Sequence, residues 1–174
     1  MSQLKRECTK LAAGATQGAG GSGGRKYVTG IFEASVTTSL SLINENEGFG
    51  IVSTGKVWEQ ALQTAVDEFL GEQSARFQGC ETTGLNASEV HELPSEKVRA
   101  KMMEATSKLL KKGQDSGKDV RAICLGCAGM VGLDEAVRTA CEEVLGGERG
   151  KQVHIVDGVK AGVATLFALA RSGF

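Results

Sequence analysis

Apolar positions recur at helical spacing in three stretches of the chain. From Trp58 they fall at Ala61, Leu62, Ala65, Val66, Phe69 and Leu70. After Pro94-Ser95 they fall at Val98, Met102, Ala105, Leu109 and Leu110, and later at Leu133, Ala136, Val137, Ala140, Cys141, Val144 and Leu145. Each set lies on one face at 3.6 residues per turn and predicts an amphipathic helix. The second helix is lysine-rich toward its end, which suits the helix dipole. Short apolar runs alternate with these helices. Phe49 to Ser53, Val120 to Leu125 and Val153 to Val156 read as buried strands, and Tyr27 to Phe32 reads as another. Glu33 to Asn46 reads as a helix, and Arg76 to Thr83 is ambiguous between loop and edge strand. Asn86-Ala87-Ser88-Glu89 has the form of a cap with its acidic partner, opening a short helical turn. Lys112 to Asp119 is a polar turn. At the front, residues 3–12 have the composition of a short helix, and Gly14 to Gly24 reads as a flexible loop.

Strands alternating with helices predict an α/β fold, a parallel sheet with helices on both faces. The last helix, Val159 to Ala170, is apolar on almost every side. Such a helix needs protein all around it, so something large is expected to cover it.

Composition narrows the function classes. The 174 residues are 41% hydrophobic, enough for a globular core. Net charge is −1 and aromatics are 5%, so neither a basic field nor a stacking platform points to nucleic acid or an acidic membrane. No apolar run approaches the roughly 20 residues that span a bilayer. Met1 to Lys10 is polar and charged, unlike a signal peptide, and the expected location is the cytoplasm. The five cysteines then read as free thiols rather than disulfides.

Two motifs compete for chemistry. Gly18-Ala19-Gly20-Gly21-Ser22-Gly23 satisfies the dinucleotide pattern, but that pattern should follow a strand and open a helix. Here a helix-like segment precedes it and a strand-like segment follows, so a plain loop is the better reading. The stronger candidate is Ile123-Cys124-Leu125-Gly126-Cys127-Ala128-Gly129-Met130, where a strand ends and a helix is expected from about Gly129. Ligands of parallel sheets bind beyond the carboxyl ends of strands. Gly126 and Gly129 would let backbone approach a ligand closely. A helix start at Gly129 would favour a thiolate at Cys127 and present N–H groups to an oxyanion. Three plainer readings stay open: a Cys124/Cys127 redox pair, half a zinc site, or Cys127 as a buried small residue. Zinc lacks ligands nearby, since the histidines are His91 and His154. Cys8, Cys80 and Cys141 read as structural, and the Met102–Met103 pair as core filling.

These residues resemble a known family. Cys124-Leu-Gly-Cys127-Ala-Gly-Met130 looks like the second-cysteine motif of hydantoin and allantoin racemases, and Val156-Asp157-Gly158-Val159 resembles their turn before the closing helix. Gly30-Ile31-Phe32-Glu33-Ala34-Ser35, Ser53-Thr54-Gly55 followed by Trp58-Glu59, and Thr83-Gly84-Leu85 are similar to further segments. The resemblance to the Asp/Glu/hydantoin racemase family runs from about Tyr27 to Ala170. It implies two similar α/β domains with a site between them. It also implies cofactor-independent, metal-free racemisation of a small amino-acid derivative by two cysteines acting as acid and base. By this resemblance Cys127 is one acid/base, and Thr54, Ala128 and Gly129 contact the substrate's carboxylate or ring carbonyl. Thr54 also has the position of a helix N-cap.

The departure is at the front, where the first cysteine of the pattern matches no residue and Cys8 lacks a strand-end context. The expected layout is a first-domain remnant over 1–32, a second α/β domain over 33–157, and a closing helix over 158–174 that would return to the first domain. Two-base racemisation is therefore expected to be incomplete in this chain. The alternatives are a non-catalytic binding module or one-thiol chemistry like that of arylmalonate decarboxylase. Homo-oligomer formation through the uncovered apolar surface also stays open.

Overall fold

The computed structural model describes residues 26–86, 88–127, 130 and 132–172. The Gly14–Gly24 run, Cys8, Ala128 and Gly129 lie outside the described residues. Four strands form one parallel sheet in the order β2-β1-β3-β4, with β1 at Gly48–Ser53, β2 at Phe77–Thr82, β3 at Val120–Leu125 and β4 at His154–Asp157. The helices are α1 (Ile31–Leu42), α2 (Val57–Leu70), α3 (Glu89–Glu92), α4 (Ser95–Asp115), α5 (Asp134–Leu145), α6 (Gly147–Lys151) and α7 (Gly158–Ser172).

Side chains alternate across each strand, and this divides the core in two. Ile123 and Leu125 join Met102, Leu109 and Leu110 of α4 and Val137 and Cys141 of α5 on one face. Ala122 and Cys124 join Ala34 and Val36 of α1, Val66 of α2 and Ala161 of α7 on the other. Helices on both faces of a parallel sheet confirm the fold expected from the alternation. The ambiguous segment at Arg76 is the edge strand β2, which pairs with β1 alone. The inward residues expected for α4, from Val98 through Leu110, are buried. The acidic partner of the cap is in place, with Asn86 N–H donating to Glu89 Oε2 at 2.7 Å.

Two elements differ from expectation. No strand spans Tyr27 to Phe32: residues 26–30 have no regular structure and α1 begins at Ile31. Phe32 packs on Phe69 across the helix pair with ring centroids 6.0 Å apart, so its apolar character serves a helix face. At the other end of α1, Arg76 Nη2 donates to the carbonyls of Leu40, Ile43 and Asn44 at 3.3, 3.0 and 3.4 Å. That cation supplies the carbonyls a helix C-terminus leaves unpaired. The second difference concerns the helix expected from about Gly129: Gly129 lies outside the described residues, Met130 is in a 3-10 turn, and the α-helix runs from Asp134.

The closing helix α7 packs on α1 and β4 and leaves one side bare, with Val163 63% and Phe167 68% exposed. No helix among the described residues is long and apolar enough to cross a membrane.

Candidate functional site at the carboxyl ends of β1 and β3

Strand order places a reversal between β1 and β3. The chain leaves β1 toward β2 on one side, and β3 then adds on the other. Open parallel sheets offer a crevice at such a switch point, beyond the carboxyl ends of the two strands. Val52 pairs with Leu125 there. The next residues of each strand are Ser53-Thr54 and Gly126-Cys127.

Backbone hydrogen bonds hold these ends together. Gly126 N–H donates to Val52 O at 2.8 Å, which carries the ladder one residue past β3. A Cβ on Gly126 would stand 2.9 Å from both Ile51 Cγ2 and Ser53 Cβ. The glycine is therefore required by the approach of β1, rather than by a ligand as its sequence context suggests. Thr54 is buried, and its carbonyl accepts from Gly84 N–H at 3.0 Å and from Thr83 Oγ1 at 3.3 Å. Gly84 takes φ +73, a conformation that favours glycine. The Thr-Gly pair after β2 thus fixes the turn after β1. This anchoring role of Thr83 was not legible from spacing, although the Thr-Gly step after a strand is the signal for it.

Thr54 does not cap α2. The N-cap residue is Lys56, without a side-chain cap, and the first turn closes through Gly55 and Lys56 carbonyls. The Thr54 hydroxyl makes no hydrogen bond among the described residues.

Cys127 sits on the loop directly after β3. It is half-buried and packs against the face of α4 and α5. Its carbonyl accepts from Met130 N–H at 3.1 Å, and Met130 is fully buried. The turn is thereby pinned by a methionine plug, with the thiol at its rim. The α-helix α5 starts at Asp134, with Asp134 and Glu135 in its first turn.

The other described cysteines are held as thiols. Burial pushes Cys80 up to about 12, with Glu59 and Glu81 adding to it. Burial pushes Cys124 up to about 11 against a lowering hydrogen bond from Ser39, whose Oγ lies 3.0 Å away. Burial also pushes Cys141 up to about 11, opposed by Arg138. Cys124 belongs to the opposite core face from the one Cys127 packs on. The C-x-x-C spacing therefore does not bring the two sulfurs together as a redox pair. His154 is exposed on β4, and the described residues contain no group of three His, Cys, Asp or Glu side chains placed to hold a metal.

These raised values carry a stability consequence. A folded-state pKa above the unfolded value of about 8.5 stabilises the fold fully below that pH, and the contribution is lost as pH rises toward the folded value. Urea midpoints are expected to fall between pH 9 and 11, and Cys124→Ala should fall less steeply than the parent. Parallel pH profiles for the two proteins would contradict this assignment.

An open groove of about 580 Å³ lies beside the free edge of β4. Several of its charged groups are engaged. Arg138 Nη1 donates to Gly150 O at 2.6 Å, Asp157 accepts from the Val159 and Lys160 N–H groups at 2.8 and 3.0 Å, and Glu135 pairs with Arg99.

Comparison with known proteins identifies the family. The family model described as Asp/Glu/Hydantoin racemase matches residues 25–166. Two uncharacterized proteins of Schizosaccharomyces pombe are similar, one 34% identical over 84% of this chain and the other 28% identical over 82%. The crystal structure of allantoin racemase from Pseudomonas fluorescens superposes with TM-score 0.60 at 26% identity, covering 83% of this chain. The chain spans about half the length of these relatives: 55% and 53% of the two yeast proteins and 52% of the allantoin racemase. By sequence over most of its length, and by the fold that carries Cys127, the chain belongs to the Asp/Glu/hydantoin racemase family.

Proposed function

We propose that the chain contributes one half of a cofactor-independent proton-transfer site acting on a small amino-acid derivative of the hydantoin or allantoin type. Cys127 is the acid/base for one face of the stereocentre. As thiolate it removes the proton next to the carbonyl, and the electron pair passes into an enolate. As thiol it returns a proton to the same carbon. The Thr54 hydroxyl and the Ala128 and Gly129 N–H groups are assigned to the substrate's carboxylate or ring carbonyl. Donors there would stabilise the enolate oxygen as charge develops. The observation that carries the reading is that Cys127, on the loop at the carboxyl end of β3, is partly exposed while Cys80, Cys124 and Cys141 are buried.

Inversion needs a second acid/base on the opposite face, and the other cysteines among the described residues are buried. A single thiol supports proton exchange with retention. In D₂O the 174 residues alone are expected to place deuterium at the stereocentre of one enantiomer of a 5-substituted hydantoin or of allantoin, without loss of optical rotation. Adding a polypeptide that presents a cysteine across the cleft should convert exchange into racemisation. Rapid racemisation by the chain alone would overturn the one-face assignment. Absence of any exchange would favour the binding-module reading.

A further inference from the structure

A small cavity of about 40 Å³ sits at the carboxyl ends of β1 and β3, on the sheet face that α1 and α2 cover. Ile31 and Phe32 of α1, Leu62 of α2, Ile51 of β1 and Gly126 beyond β3 line it. α1 leads into β1 and α2 leaves it, so both helices bring their N-terminal halves to this end of the sheet. The cavity therefore belongs to the switch-point crevice. Ile31 at its rim is 40% exposed, which gives it an opening to solvent.

Gly126 connects this cavity to the reactive thiol, because the next residue is Cys127. The two lie on opposite sides of the sheet. Cys127 packs toward the α4 and α5 face, and the cavity is on the α1 and α2 face. A carbon held over the ends of β1 and β3 would have the thiol on one side and the cavity on the other. At a stereocentre the hydrogen and the side chain leave the same carbon in different directions. A hydrogen aimed at Cys127 lets the side chain enter the cavity.

We propose that this cavity is the specificity pocket of the site and that it selects a short alkyl side chain on the amino-acid derivative. The proposal rests on the reading of Cys127 as an acid/base. Size sets one limit. An apolar cavity of about 150 Å³ takes a benzene ring, whereas about 40 Å³ has room for a methyl or ethyl group and none for a phenyl ring. The chemistry of the lining sets the other. Its polar side chains are Ser35 and Cys124, and Cys124 Sγ is already engaged by Ser39 Oγ at 3.0 Å and the Ser35 carbonyl at 3.8 Å. A ureido side chain such as that of allantoin would leave most of its polar groups unpaired there, at a cost in binding. The substrate class is therefore a hydantoin of a small aliphatic amino acid, ahead of arylmethyl hydantoins and allantoin.

The methyl, ethyl and benzyl hydantoins and allantoin test this on the full chain. Deuterium uptake above the uncatalysed rate reads turnover, and protection of Cys127 from iodoacetamide reads binding separately. The methyl and ethyl compounds should lead the other two by about tenfold or more in both. Leu62→Ala opens the cavity and should shift the preference toward the benzyl compound. Ile31→Ala, at the exposed rim, should do the same and covers the case in which Leu62→Ala fails to fold. Exchange that favours benzylhydantoin or allantoin, or a preference unchanged in the folded variants, overturns the pocket and leaves the acid/base reading standing. Alkyl-selective protection without any exchange supports the pocket and overturns the acid/base reading. If no compound protects Cys127 and none exchanges, both fall.

Discussion

Replacement of Cys127 by alanine is expected to lower enzyme-dependent deuterium uptake at the substrate stereocentre by roughly 10²- to 10⁴-fold, the usual contribution of a positioned acid/base. The fold should survive the change. The side chain is half-buried on a loop, and the turn around it is held by the Met130 plug and the Gly126–Val52 hydrogen bond. Urea midpoints of parent and variant should agree within the scatter typical of surface substitutions, about 0.5 kcal/mol. Cys127→Ser keeps the shape and an exchangeable proton but not the acidity, so its rate should be nearly as low. Substrate binding, read by the dissociation constant of an unreactive hydantoin, should change little in either variant. A variant that loses binding and stability together would make Cys127 a packing residue.

The second large effect concerns the sheet that holds the crevice. Leu109→Ala is expected to cost about 2–5 kcal/mol, the range for emptying a fully buried leucine site. Leu109 is 0% exposed and presses on β1 where that strand has no side chain: a Cβ on Gly50 would stand 2.5 Å from Leu109 Cδ1. Gly50→Ala alone should therefore destabilise by about 1–3 kcal/mol through overpacking. Combined with Leu109→Ala, the new methyl enters the space the leucine leaves. The double variant should be more stable than the sum of the single effects implies, with a coupling of about 0.5–3 kcal/mol. Additive effects would mean that α4 does not seat on β1 at this point.

Much of this architecture is legible in the sequence because the helices are amphipathic on one face. For α4, the spacing from Val98 to Leu110 identifies both the element and its buried side. β3 is legible because five of its six residues, all but Arg121, are apolar, and its bounds match the expected Val120 to Leu125. The segment from Tyr27 to Phe32 is harder to read. Its β-branched and aromatic residues suit a strand locally, whereas Ile31 and Phe32 belong to a helical face completed by Ala34, Ser35, Val36 and Ser39. Local propensity is a weak prior against such tertiary packing.

The placement of Cys127 just after β3 was legible; the roles of its neighbours were not. A Gly-Cys step after an apolar strand locates the thiol without indicating where the next helix begins. Met130 is buried in the core, and the α-helix α5 begins at Asp134. Gly126 reads as a ligand glycine in sequence because close approach by a neighbouring strand leaves the same signature. Thr54 reads as an N-cap because it precedes α2 by a plausible offset, but the chain turns through Gly55 and Lys56 first. The comparisons place the family. They leave substrate and activity to experiment, since the chain spans about half of each relative.

The measurement that bears most directly on Cys127 as a crevice thiol is alkylation of the native chain, quenched over time and mapped by mass spectrometry. Iodoacetamide at pH 8 should modify Cys127 while Cys80, Cys124 and Cys141 stay unmodified until the protein unfolds, and a saturating hydantoin should slow labelling at Cys127 selectively. Labelling of Cys127 no faster than of the three buried cysteines, or at a rate indifferent to hydantoin, would contradict the account.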